Sequence, residues 1–160
     1  MNSIQIVKQL GINAKKAATE LANISNEQKN KALYNLKKDL KNLSSELIQI
    51  NNQDVENAYA IKLSSAIIDR LTLNEDKIDS MVNSLDEIIN LNDPVGIVLS
   101  EWNRPNGLHI QKVSVPLGVI GIIYESRPNV TVDASAIAIK AGNSVILRGG
   151  KDSFHSSQKL

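Results

Sequence analysis

The chain has no cysteine among its 160 residues. That excludes disulfide scaffolds, thiolate metal sites and any cysteine nucleophile supplied by these residues. Aromatic residues make up only 3%, too few for a platform that stacks single-stranded bases. No sign of charge dominates either: 18 Lys and Arg against 17 Asp and Glu leave a formal net charge of +1. Nucleic acid therefore gains no global electrostatic attraction. No apolar run approaches the roughly 20 residues that a membrane-spanning helix needs. The first residues also lack the basic segment and apolar run of a secretory signal. These absences predict a soluble cytoplasmic protein without nucleic-acid or membrane partners. The length suits one domain or part of a larger one.

Glycine and proline are scarce in one half only. Before Asn92 there is no proline and a single glycine, Gly11, while the other seven glycines and all four prolines follow. Because these residues punctuate turns, the first part is predicted to be helical and the second rich in strands. Ile4, Val7, Leu10, Ala14, Ala17 and Leu21 recur at steps of three and four, which predicts one buried helical face. Ser25 and Gln28 have the spacing of a capping box that opens a second helix. Its stripe of Leu33, Leu36, Leu40, Leu43 and Leu47 covers about two heptads, short of a coiled coil and enough for a helix laid on a core. A third helix starts near Asn74, with Glu75 and Asp76 at the positive end of its dipole. Ile78, Met81, Val82, Leu85, Ile88 and Ile89 form its buried face, and Asn92-Asp93-Pro94 stops it.

Two extended segments, from Val95 and from Leu108 to Val115, flank Asn103-Arg104-Pro105-Asn106-Gly107 and read as a β-hairpin. Val119 to Tyr124 is a continuous apolar run, as in a parallel strand covered on both faces. A helix from about Val130 to Ala141, closed by Gly142, leads to a second strand, Ser144 to Arg148. Gly149-Gly150 then turns into a last helix near Asp152 or Ser153. The fold class is α/β: N-terminal helices, a hairpin, then the start of a Rossmann-like parallel sheet built as a βαβα unit.

In such sheets ligands bind beyond the carboxyl ends of the strands. The first of these ends, Glu125-Ser126-Arg127-Pro128-Asn129, gathers a carboxylate, a hydroxyl, a guanidinium and an amide. Ser126 and Arg127 are candidates for binding substrate, since Arg suits a carboxylate or phosphate. Asn129 is a candidate to stabilise an oxyanion. A polar turn with Arg127 paired to Glu125 is the alternative. The second end, Arg148-Gly149-Gly150-Lys151, sets backbone amides near a helix start beside two cations, and reads either as a phosphate site or as a tight turn with a solvated lysine. His109 and His155 lack partners at metal-ligand spacing, so no metal is expected. Ser126 also lacks the glycine frame of a nucleophile elbow. Trp102, beside the hairpin turn, reads as a packing or interface residue.

Longer stretches carry a resemblance. Asp69-Arg70-Leu71, Asn92-Asp93-Pro94-Val95-Gly96, Trp102 to Leu108, Val115 to Gly121, Ile123 to Asp133, Lys140 to Asn143 and Val145 to Gly150 occur in order. The run Tyr124-Glu125-Ser126-Arg127-Pro128-Asn129-Val130-Thr131 is the most specific of them. Together they resemble the gamma-glutamyl phosphate reductase family of the aldehyde dehydrogenase superfamily, densely from about Ile67 onward.

The resemblance implies an NADPH-dependent oxidoreductase of proline biosynthesis, reducing L-glutamyl 5-phosphate to L-glutamate 5-semialdehyde and phosphate. By family mechanism a cysteine thiolate displaces phosphate to give a thioester, which hydride then reduces, splitting one difficult step into two. Residues 1–94 would be the helical N-terminal part of the cofactor-binding domain, 95–115 the hairpin of an oligomerisation region and 116–160 the start of the Rossmann-like unit. The catalytic domain would be absent, making this a truncated N-terminal portion that is inactive alone. Arg148, Gly149, Gly150 and Lys151 would bind the cofactor, with Lys151 suiting the 2′-phosphate of NADPH. Asn129, or Arg127 in its place, would face the oxyanion. The full-length family would form homo-oligomers. The rival expectation is a non-catalytic nucleotide-binding or oligomerising remnant.

Overall fold

The computed structural model describes residues 2–160. Helix α1 (Ser3–Leu21) opens on a capping box in which the Gln5 amide donates to Asn2 Oδ1 at 2.9 Å and the Asn2 amide to Gln5 Oε1 at 3.0 Å. Only part of its predicted apolar face is covered. Of that face Ala14 is buried and Ala17 and Leu21 are half-buried, while Ile4, Val7 and Leu10 stand exposed; Ala18, outside the predicted stripe, is buried.

Helix α2 (Asn26–Asn42) starts at the Ser25–Gln28 capping box, as the spacing predicts. The leucine stripe does not run along one helix. The chain turns at Leu43 (φ −97°, ψ 7°) and restarts as α3 (Ser44–Ala60). Leu33, Leu40 and Leu47 are nonetheless buried together, because the turn keeps both helices against the same core. A short helix not foreseen from the sequence, α4 (Ser65–Leu71), precedes α5 (Glu75–Asn90). Asn74 caps α5 by accepting from the Lys77 amide at 2.9 Å. Ile78, Met81, Val82, Leu85 and Ile88 of α5 are buried, as their periodicity predicts.

Strands β1 (Val98–Asn103) and β2 (His109–Val113) form the antiparallel hairpin, with Trp102 opposite Ile110. The first strand begins three residues later than expected. Gly96 sits in a turn at φ +82°, and its amide donates to the Ser114 carbonyl at 2.9 Å. No residue of either strand is buried.

Strand β3 (Val119–Ile123) pairs in parallel with β4 (Ser144–Arg148), with Gly121 opposite Ile146. The crossover between them is α6 (Asn129–Lys140), and α7 (Phe154–Lys159) follows β4. Gly142, at φ +71°, closes α6; a Cβ there would lie 2.9 Å from Pro116 Cγ. The expectation that β3 is covered on both faces is corrected. Val119, Gly121 and Ile123 are exposed and only Ile120 and Ile122 are partly covered. Both strands of this pair are edges, and α1 and α6 pack mainly on β4, which leaves β3 the less covered of the two.

One core joins the layers. Val132 and Ala136 of α6 pack with Leu33, Leu40, Leu47 and the buried face of α5. Beneath it lies a polar anchor. Buried Lys29 pairs with Asp93 at 2.5 Å, and Lys140 Nζ donates to Asn26 Oδ1, Asn30 Oδ1 and the Ile89 carbonyl at 3.0, 2.7 and 2.9 Å. Burial alone would raise the Asp93 carboxyl. The Lys29 hydrogen bond, the Val95 amide and the charges of Lys29 and Lys140 outweigh it and hold that carboxyl below the ordinary value. Burial lowers Lys140, an effect the Asp93 charge partly offsets.

Candidate functional site

The parallel pairing of β3 and β4 brings their two following loops side by side, since both strands end at the same edge. The Tyr124 amide donates to the Arg148 carbonyl at 3.1 Å and extends the ladder by one rung. The Tyr124 hydroxyl lies 2.6 Å from Thr131 Oγ1, tying the first loop to α6. It also fills the space where a side chain on Gly149 would begin: a Cβ there would be 3.2 Å from that oxygen. Ser126 adopts a left-handed conformation at φ +37°, which a non-glycine residue holds only under local constraint. That constraint is visible. Ser126 is buried, its hydroxyl donates to Asp152 Oδ2 at 3.0 Å, and a Cβ on Gly150 would sit 3.4 Å from its amide nitrogen.

The predicted site residues therefore divide into two groups. Ser126 faces the Gly149–Gly150 turn. Arg127 and Asn129 line a separate cleft of about 300 Å³ together with Asp69, Arg70 and Asp133. The sequence-level alternative of an Arg127–Glu125 ion pair is not realised among the described residues. Asn129 Nδ2 donates to Asp133 Oδ2 at 3.0 Å, one helical turn on. The other oxygen, Asp133 Oδ1, is buried with no hydrogen-bond partner among the described residues. Burial pushes the Asp133 carboxyl above its ordinary value, and the bond from Asn129 offsets this only in part. Lys77 Nζ, at the same cleft, donates to the Asp69 and Thr72 carbonyls, the latter at 2.8 Å, and so staples the end of α4 to α5.

Arg148, Gly149, Gly150 and Lys151 line a second cleft of about 430 Å³, with Phe154 and Ser157 on its far side. Arg148 and Lys151 are exposed, and neither makes an ion pair among the described residues. The Arg148 guanidinium folds back to donate to the Gly149 carbonyl. One element of the predicted phosphate site is already occupied from within. The α7 amides of His155 and Ser156 donate to Asp54 Oδ1 at 3.2 Å and Oδ2 at 2.8 Å, and the Ser156 hydroxyl also reaches Oδ2 at 2.6 Å. Asp54, on α3, is buried and caps α7, so the helix start is already taken and only the two side-chain cations and the turn are left to meet an anion in this cleft.

Three residues escaped the sequence reading, one lining the first cleft and two packed behind the second loop. Asp133 was legible only as the i+4 partner of Asn129, while Asp152 and Asp54 reach their partners through tertiary contacts no local spacing reveals. His109 lies on the open hairpin, 3.5 Å from Glu101, and Trp102 is exposed beside it. No three His, Asp or Glu side chains gather to hold a metal among the described residues, and no described helix is long and apolar enough to cross a membrane.

Known proteins share both sequence and architecture with the chain. No family model matches it. A gamma-glutamyl phosphate reductase of Bartonella henselae is 54% identical over 154 residues, covering 96% of this chain and 37% of that protein. The crystal structure of a gamma-glutamyl phosphate reductase from Thermotoga maritima is 42% identical, with a TM-score of 0.89 over 91% of this chain and 35% of its own. A probable aldehyde dehydrogenase from Listeria monocytogenes, 22% identical, shares the fold at a TM-score of 0.72 over 98% of this chain. The chain thus spans a little over a third of the length of the curated relatives it matches.

Proposed function

The chain belongs to the gamma-glutamyl phosphate reductase family and shares its fold with a probable aldehyde dehydrogenase, and from that premise we propose that it supplies the cofactor loops and part of the substrate wall for NADPH-dependent reduction of L-glutamyl 5-phosphate. The products are L-glutamate 5-semialdehyde and phosphate, and the setting is proline biosynthesis in the cytoplasm. The observation that carries the reading is the pair of cations, Arg148 and Lys151, exposed without acidic partners around the Gly149–Gly150 turn. That donor set suits a phosphorylated nucleotide: the guanidinium offers a fork of donors and the ammonium a point charge. Lys151 would favour a 2′-phosphate, which selects NADPH over NADH. Bound there, the cofactor would supply the hydride that reduces the acyl group.

The other residues serve geometry. Tyr124, Thr131, Ser126 and Asp152 lock the two loops against each other, so the cations sit on a rigid seam. Asn129 is the candidate donor to a developing oxyanion, and Arg127 the alternative. Asn129 points its amide at Asp133 in this structure, so that role would require the amide to exchange partners. The family's nucleophile is a cysteine, which these 160 residues do not contain. The purified 160-residue chain is accordingly expected to form no semialdehyde from glutamyl 5-phosphate, and detectable turnover would sink this assignment of roles.

Calorimetric titration with NADPH tests the cofactor loops. Arg148→Ala and Lys151→Ala should each weaken binding about tenfold or more with the helical circular dichroism unchanged, the latter sparing NADH. Binding indifferent to both substitutions overturns the reading. An oligomerising module without catalysis is the second reading, favoured by the open apolar hairpin with Val98, Trp102 and Val113 exposed. Sedimentation of the chain with and without NADPH separates the two, because self-association with no nucleotide binding supports only the second.

A further inference from the structure

An acid stands next to the cofactor turn without lining it. Asp152 follows Lys151 directly, and its amide nitrogen lies 4.0 Å from where a Cβ on Gly150 would begin. Arg148 to Lys151 line the nucleotide cleft, whereas Asp152 lines the cavity behind it with Asp54, Asn57 and His155, and Lys151 borders both. Asp152 is half-buried and forms no ion pair with Lys151 or any other cation among the described residues. The one hydrogen bond its carboxylate accepts among those residues comes from the Ser126 hydroxyl, which donates to Oδ2 at 3.0 Å. Ser126 delivers that hydroxyl from a left-handed backbone at φ +37°, pressed against Gly150, where a Cβ would lie 3.4 Å from its amide nitrogen. A buried hydroxyl on a strained backbone is thus spent on the acid beside Lys151.

We propose that Ser126 determines nucleotide specificity by holding the Asp152 carboxylate toward the rear cavity, which leaves Arg148 and Lys151 as the only charged side chains lining the nucleotide cleft. In Rossmann-type sites an acid that reaches the ribose accepts from its 2′-hydroxyl and selects the unphosphorylated cofactor, while a cation accommodates the 2′-phosphate. An acid turned into this cleft would therefore reward NADH and repel NADPH, and specificity depends on that difference. Ser126 is a positioning residue that acts through Asp152, so its hydroxyl is committed to that carboxylate and not to substrate. The assignment rests on the cofactor reading above and adds the contact that keeps the competing cofactor from gaining a partner.

The test is calorimetric titration of the 160-residue chain with NADPH and with NADH, on the parent, Ser126→Gly, Asp152→Asn and the double variant. Glycine takes the positive φ without strain, so Ser126→Gly is expected to keep its helical circular dichroism. It should lower the ratio of NADPH to NADH affinity about tenfold or more, because the freed carboxylate meets the ribose. Adding Asp152→Asn should restore the parent ratio. A loop merely loosened by glycine would instead weaken both nucleotides alike and gain nothing from the second substitution. Asp152→Asn alone, whose amide oxygen still accepts from Ser126, should leave the ratio unchanged. A ratio unmoved by Ser126→Gly, a loss not rescued in the double variant, or a ratio that Asp152→Asn alone raises each overturns the proposal and leaves the cofactor loops standing. Loss of the helical signal in Ser126→Gly would give the hydroxyl a structural role and overturn it too. Absence of NADPH binding by the parent, or binding indifferent to Arg148→Ala, removes the cofactor reading and this proposal with it.

Discussion

Leu33, Leu47 and Leu85 are sealed inside the helical layer, whereas Val113, Val115 and Leu117, no less apolar, stand in the open around the hairpin. The two regions are equally well ordered in local terms. The hairpin has its turn and ladder, and α2 and α5 have their side-chain caps, though α3 and α6 have none. They differ in what the elements pack against. Helices α2, α3, α5 and α6 each find a neighbour for their apolar face within the described residues. The hairpin, the first half of α1 and the outer edge of β3 do not. Secondary structure is therefore no guide to which parts of this chain support their own stability, and burial is the quantity that separates them.

The sharpest way to break the contrast is a pair of matched truncations. Leu85→Ala, at a fully buried site, should cost about 3–4 kcal/mol, as a large-to-small change in a packed core does. Leu117→Ala should fall within about 0.5 kcal/mol, because little is removed from contact. Urea unfolding of both variants decides it, and similar losses would mean that the exposed region shares the core after all.

A second contrast lies within the helical region. Asp93→Ala strands Lys29 as a buried, unpaired charge and should cost about 3 kcal/mol near neutral pH. Because the Asp93 carboxyl is held below its ordinary value, its contribution is present above that value and is lost as pH falls through the lowered one. The gap in melting temperature between parent and variant should thus narrow below about pH 4. A gap that stays constant into acid would remove the ion pair from the account.

The smallest effect separates two glycines that both have positive φ. Gly142→Ala should cost about 1–2 kcal/mol more than Gly107→Ala, since only the first adds a clash, with Pro116. Equal losses by thermal melting would assign the whole effect to backbone conformation and none to packing.

Much of this architecture was legible because its signals are local. The Ser25–Gln28 box, the Asn74 start and the apolar period of α5 each depend on residues within a turn or two, and each appears where its spacing predicts. The break at Leu43 was not legible, since the leucine spacing continues unbroken across a turn that only the fold around it imposes. The exposure of Ile4 and Ile123 was hidden for a related reason. An apolar period says that a face wants a partner and is silent on whether one is present.

For the candidate site the division is similar. Sequence order alone placed Ser126, Arg127 and Asn129 in one loop and Arg148 to Lys151 in the next, because a strand's end and a glycine turn are written locally. Only the tertiary structure sent Ser126 to the Asp152 side and Arg127 with Asn129 to the Asp133 side. It alone filled the α7 start with Asp54 from a helix about a hundred residues earlier. The physical reason is range. Periodicity and capping act over a few residues along the chain, while the pairing of a buried charge is settled by whichever group the folded core brings within hydrogen-bond reach.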